Sequence, residues 1–188
     1  MSTEDAEASW HQEGSTEAGS AGTSLDVGDT DGDGYGDLVF GAPTGEDAAG
    51  AYVVPGPPSG VTELPAGLTR VVGERWLGYA VSTGDTDGDG RDDILIGNHA
   101  DLDESGLYVG SASLVLGPFS GTWDLRPDPP HRRFLGEAEL DGTTYLEAAV
   151  LTDLDGEGPA DPVIGAYTND YVAENCGSIY LFFSTLGY

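Results

Sequence analysis

Three short segments of this chain place carboxylates at alternating positions. They are Asp29, Asp31, Asp33 and Asp37, then Asp85, Asp87, Asp89 and Asp93, then Asp153, Asp155, Glu157 and Asp161. Counted from the first aspartate, these are positions 1, 3, 5 and 9, with Tyr35, Arg91 and Pro159 at position 7. Carboxylates this close repel one another at neutral pH, so a folded loop needs a positive counter-charge. A hard cation ligated by oxygen provides it. Calcium accepts many oxygens in loose geometry, whereas magnesium keeps its waters and demands a rigid octahedron. The free choice of residue at position 7 fits a ligand supplied by the backbone carbonyl. Glycines at positions 4 and 6 (Gly32 and Gly34, Gly88 and Gly90, Gly156 and Gly158) allow the sharp curvature. One such segment alone reads equally well as an Asp-Gly turn. Three in register predict Ca2+, about three ions per chain, with the third site weaker because the longer Glu157 replaces an aspartate. An EF-hand is excluded: position 12, which must be Glu there, is Phe40, Ile96 or Ile164.

The same elements recur around each loop. A short alternating stretch precedes it, at residues 22–27, 78–83 and 146–151. An apolar run ending in glycine follows, at 38–41, 94–97 and 162–165. A third β-rich stretch lies at 50–54, 110–116 and 177–183, and a fourth, in the first two units, near 69–72 and 131–135. The runs are short, rich in β-branched and aromatic residues and bounded by Gly, Pro and Asp, and no long window has helical periodicity. Units of roughly 60 residues with three or four antiparallel strands predict an all-β fold of β-propeller blades. The boundaries are an N-terminal segment at 1–19 and blades at 20–75, 76–138 and 139–188, the last without its fourth strand.

The units resemble the FG-GAP repeats of the integrin α-subunit β-propeller. The likeness is carried by a GD-x-D-x-D-G-x-x-D loop, a strand, and then Gly-Ala-Pro. That tripeptide is intact at Gly41-Ala42-Pro43 and altered at Gly97-Asn98-His99 and Gly165-Ala166-Tyr167. Ala21-Gly22 and Leu77-Gly78 stand where the family has Phe-Gly, and Tyr145-Leu146 stands there in the third unit. The resemblance covers about residues 20–188. It implies calcium in hairpin loops on one face of each blade, where the ions stiffen the propeller and catalyse nothing. The integrin-type Asp-x-Ser-x-Ser motif and Arg-Gly-Asp are absent.

Three blades cannot close a ring, because propellers use about four to eight. Open sheet faces and edges would be exposed. The expectation is a homodimer that completes a six-bladed ring, with the segment around Ala8–Gln12 exchanged as the outer strand of the partner's third blade; the alternative is that the chain is a piece of a longer propeller.

The chain has 34 acidic and 6 basic side chains, all six arginine, for a formal charge of −28. That charge excludes nucleic acid as a partner and disfavours anionic membranes. No apolar stretch is long enough to span a bilayer, and the opening MSTEDAEASWHQ is not a signal peptide. Calcium loops point to the cell exterior, and the acidity also fits a saline habitat. The single cysteine, Cys176, reads as a strand thiol. Trp10, Trp76 and Trp123 fall near blade joins, and His11, His99 and His131 read as surface or turn residues. The acidic run 101–104 reads as solvated, with an extra cation site as the alternative. No nucleophile elbow or paired acid–base set appears. The sequence therefore predicts a non-catalytic, calcium-binding scaffold for adhesion or protein interaction, with an unknown protein or glycan as ligand. A lectin-like propeller, or an enzyme using the propeller face, stays open.

Overall fold

The computed structural model describes residues 8–11, 19–45, 49–57, 60–63, 68–126, 132–136, 148–167 and 177–184. Cys176, His131, Tyr145, Leu146 and residues 127–130 lie outside these, and of Trp10 and His11 only the backbone is described. The described residues form strands and no α-helix. They are β1 (Ala8–His11), β2 (Leu25–Gly28), β3 (Asp37–Ala42), β4 (Gly50–Val54), β5 (Gly60–Glu63), β6 (Thr69–Val72), β7 (Ala80–Gly84), β8 (Asp93–Asn98), β9 (Ser111–Val115), β10 (Thr122–Asp124), β11 (Arg132–Leu135), β12 (Ala149–Thr152), β13 (Asp161–Ala166) and β14 (Ser178–Leu181).

Three blade-like sheets follow one another along the chain. The first has the order β10-β6-β4-β3-β2, the second β11-β9-β8-β7 and the third β12-β13-β14. Within each unit the strands meander antiparallel, and each acidic loop is the turn between the first and second strands. Two pairings depart from that plan. The three-residue β10 leaves the second unit and joins the edge of the first sheet, parallel to β6. Hydrogen bonds from Arg70 N to Gly121 O (2.9 Å) and from Leu125 N to Val72 O (2.8 Å) extend that join. The N-terminal β1 runs parallel to β5 of the same chain in a separate two-stranded sheet, with Ala8 opposite Gly60.

Alternation of side chains across each strand distributes them between two sheet interfaces. Val39, Val53 and Val71 of the first sheet meet Val81, Ile94, Ile96 and Val115 of the second, with Trp123 and Leu125 packed alongside. Leu95 and Leu114 point the other way and meet Leu151 and Ile164 of the third sheet. Covered on both faces, β8 is buried along its whole length. This explains why its run Ile-Leu-Ile is continuous where a half-buried strand would alternate. The two neighbouring sheets approach closely at glycine. A methyl group on Gly41 would fall inside the contact radius of the Gly78 carbonyl oxygen and 2.5 Å from Ser24 Oγ.

At the end of the strands remote from the acidic loops, His99 packs in a turn. Its ring lies 4.1 Å from that of Tyr79 and 5.5 Å from that of Trp76, centroid to centroid. Arg75 stacks over Trp76 at 4.5 Å. Burial pushes the His99 imidazole below its ordinary value of 6.5. The folded protein thus keeps His99 neutral at a pH where an unfolded chain would protonate it. The resulting stability is complete above about pH 6.5 and is lost as pH falls through the lowered folded value. Replacing His99 by Gln should flatten the acid limb of melting temperature measured from about pH 7 to 5 in excess calcium. An unchanged limb would assign that titration to other groups.

Candidate metal centre

Each loop is held by its own carboxylates before any ion is considered. In the first, Asp29 Oδ1 accepts the N–H groups of Gly32 (2.7 Å) and Asp33 (3.1 Å), and its Oδ2 accepts that of Gly34 (2.9 Å). Asp31 accepts from Asp33 N–H, and Asp33 from Tyr35 N–H. Gly32 and Gly34 have φ of 79° and 88°, so the turn needs the left-handed region twice within three residues. The second loop repeats this set from Asp85, Asp87 and Asp89 with distances that match to about 0.1 Å. The third keeps Gly156 N–H on Asp153 (2.7 Å) and Glu157 N–H on Asp155 (2.9 Å), while the Gly158 bond lengthens to 3.2 Å.

Position 9 does something different. Asp37, Asp93 and Asp161 are buried and open β3, β8 and β13. One oxygen of Asp93 accepts the N–H of Thr86 (2.9 Å) and, in a short bond, its hydroxyl. The other accepts Gly117 N–H at 2.9 Å, beyond the end of β9. Asp37 is tied in the same way to Thr30 and to Gly56 N–H. In the third loop Leu154 replaces the threonine and gives only its N–H, and Ser184 supplies both an N–H (2.8 Å) and a hydroxyl (3.1 Å). Each position-9 aspartate thus ties its acidic loop to the strand two elements on.

Among the described residues, three groups of carboxylates converge to within 4.8 Å: Asp29, Asp31 and Asp33; Asp85, Asp87 and Asp93; Asp153, Asp155 and Asp161. Asp37, Asp89 and Glu157 lie in the same loops but outside those triads. The position-7 side chains do not enter. Tyr35 is exposed, the Arg91 guanidinium pairs with Asp89 at 3.2 Å, and the Pro159 carbonyl accepts Ser184 Oγ at 3.3 Å. Three all-oxygen donor sets, each on a loop whose curvature rests on paired glycines, fit a hard divalent cation. The run 101–104 does not join them. Asp101 binds Ser111 Oγ and Arg133, and Asp103 caps its own turn through Ser105 and Leu107 N–H.

The loops also bind each other, which sequence reasoning missed. Asp92 N–H donates to Asp29 O (2.8 Å), and Asp29 N–H donates back to Asp92 Oδ2 (2.9 Å). Ala160 N–H donates to Asp85 O at the next join. Arg91 reaches back to Asp31 O (3.3 Å) and lies over Gly32. Below them Asp26 Oδ2 accepts Thr83 N–H (2.9 Å) and the hydroxyls of Ser82 and Thr83. Burial pushes the Asp92 carboxyl above the ordinary aspartate value. The Asp29 N–H opposes this, and the charges of Asp29, Asp85 and Asp26 add to it. Burial raises Asp93 as well, against the Thr86 and Gly117 donors. Negative charge is therefore held at a cost around Asp92 and Asp93, and a cation would relieve it. The shared Thr30 and Thr86 at position 2, and the repeated Gly56-Pro57 and Gly117-Pro118, were the visible traces of these contacts.

Loops of this shape occur in several folds; what decides the family is a match to the whole unit, strands included. Residues 21–54 and 77–115 each match the FG-GAP repeat. The chain carries FG-GAP repeats. The chain is similar to integrin alpha-PS2 of Drosophila melanogaster, with 34% identity over 167 residues, 86% of this chain and 11% of that protein. The chain therefore spans about a tenth of that relative's length. The two matched FG-GAP units contain the first two loops. The third loop lies beyond them and repeats their hydrogen bonds with the substitutions described above.

Proposed function

We propose that this FG-GAP chain is a non-catalytic propeller segment in which each of the three loops takes one calcium ion, and that it serves as an adhesion or protein-interaction scaffold at the cell exterior. The observation that carries the reading is the recurrence of a converging carboxylate triad in the acidic loop of three successive sheets, drawn from positions 1, 3 and 5 in the first and from 1, 3 and 9 in the other two. The family match and the similarity to an integrin α-subunit support the scaffold role. Asp29, Asp31, Asp33 and Asp37 would hold the first ion with the Tyr35 carbonyl. Asp85, Asp87, Asp89 and Asp93 would hold the second with the Arg91 carbonyl, and Asp153, Asp155, Glu157 and Asp161 the third with that of Pro159. A bound ion would supply charge neutralisation at the blade ends. The chain's own part is to keep the carboxylates apart and aimed by backbone N–H groups until the ion arrives. Among the described residues no helix is long and apolar enough to cross a membrane.

Calorimetric titration of the chelator-treated protein with calcium tests this. The expected result is one ion per loop, the last binding most weakly, with a rise in melting temperature. Absence of binding heat together with an unchanged melting temperature would overturn the reading.

A further inference from the structure

The three sheets stack in one direction, and the stack has two unlike ends. Val39 in β3 and Leu95 in β8 hold the same place in their strands, two residues after the position-9 aspartate, and each faces the following sheet. Val163 holds that place in β13, but the side it shares with Val150, Ile179 and Leu181 is open. Ile179 is 74% exposed, Leu181 48% and Val150 46%. At the other end the reverse holds. Val81 and Thr83 of β7, and Ala149 and Leu151 of β12, pack back on the preceding sheet and are buried. Their register counterparts in β2, Leu25 and Val27, are 64% and 61% exposed. The outer part of that side, at Phe40 and Tyr52, is already buried, so its free portion is the inner strand.

The loops show the same polarity. The position-8 N–H of Asp92 and of Ala160 donates to the position-1 carbonyl of the loop before it. The position-7 side chain lies over the position-4 glycine before it, Arg91 on Gly32 and Pro159 on Gly88. A Cβ on Gly156 would meet nothing within 4 Å, and Tyr35 is 58% exposed. One end of the stack thus has a place that a position-7 residue would cover, and the other has a position-7 residue with no position-4 glycine of another loop beneath it among the described residues.

We propose that the open side of the third sheet docks the free inner strand and loop of the first sheet of a second copy of this chain. The docking continues the contact that already joins sheet to sheet within one molecule, with Leu25 and Val27 set against Val150, Val163 and Ile179, and Tyr35 over Gly156. Two such contacts related by a two-fold axis satisfy both ends of both copies, so the assembly closes as a dimer and does not grow.

The mass of the 188-residue chain by light scattering, at about 50 μM in calcium, tests this. The expected value is twice 19.4 kDa. Ile179→Glu and Leu25→Glu each change an exposed side chain, so circular dichroism should stay unchanged while each variant falls to the mass of one chain. A wild-type mass of one chain overturns the proposal. An Ile179→Glu protein that remains dimeric overturns it too, and returns the dimer to exchange of β1. A Leu25→Glu protein that stays dimeric while Ile179→Glu does not overturns the head-to-tail pairing.

Discussion

Asp93→Ala should destabilise the protein by about 3 kcal/mol even in chelator and forfeit the increment that calcium adds as well, while Asp87→Ala should cost nothing in chelator and remove only that increment. The two residues belong to one carboxylate triad, yet they are held differently. Asp87 is exposed, and its one hydrogen bond is to Asp89 N–H within the loop. Asp93 is buried and satisfies Thr86 N–H, the Thr86 hydroxyl and Gly117 N–H. Truncation leaves two buried or half-buried N–H groups with no acceptor, at about 1–3 kcal/mol each. Relief from burying a carboxylate, whose raised pKa records that cost, offsets part of the loss. Against a total stability of about 5–15 kcal/mol this is large, equivalent to a fall of about 6–12 °C in melting temperature. Denaturant titrations with and without chelator separate the two effects. If Asp93→Ala and Asp87→Ala behave alike in chelator, the buried aspartate is a ligand and no more.

A single methyl group at Gly41 should cost about 4 kcal/mol or more. The obstacle is backbone. The added carbon would press on the Gly78 carbonyl oxygen, 2.9 Å from its carbon, and no rotamer change can move it away. The first two sheets would have to separate along a join that includes Ser24 Oγ donating to Gly78 O at 3.1 Å and Trp76 N–H donating to Pro43 O at 2.9 Å. Gly90→Ala is the control. Its φ is 87°, but nothing lies within 4 Å of the added carbon, so the penalty is the left-handed strain alone, about 1–2 kcal/mol. Equal melting temperatures for the two variants would mean that the sheets can part at Gly41 with little loss.

The acidic loops and the strands beside them were legible because their rules are local. Alternating aspartates with glycines at positions 4 and 6 describe a turn, and Leu38–Phe40 or Ile94–Ile96 between such turns describes a strand covered on both sides. Less legible was what the last aspartate of each loop holds. Gly56 is 19 residues from Asp37 and Gly117 is 24 from Asp93, and a backbone N–H carries no side-chain signature. Asp92 looked like one more acid in an acidic run; only the neighbouring unit shows that it faces Asp29. The third loop teaches the same lesson from the other side. Leu154 removes the hydroxyl that Thr30 and Thr86 provide, and Ser184, distant in the chain, replaces it. Strand β10 was missed for a different reason. Thr-Trp-Asp is too short to have a period, and its parallel partner β6 belongs to another repeat.

That short strand bears on where the molecule can be divided. The repeat boundary read from sequence falls between the units, but the outer edge of the first sheet is formed by Thr122–Asp124, and Trp123 and Leu125 lie against the packing between the first two sheets. A fragment cut after residue 75 would leave β6 as a bare, hydrogen-bond-hungry margin open to pairing with any other chain. The sequence repeat and the self-sufficient folding block are therefore different lengths of polypeptide, and the smallest piece that shields its own first margin runs from the first unit through Leu125.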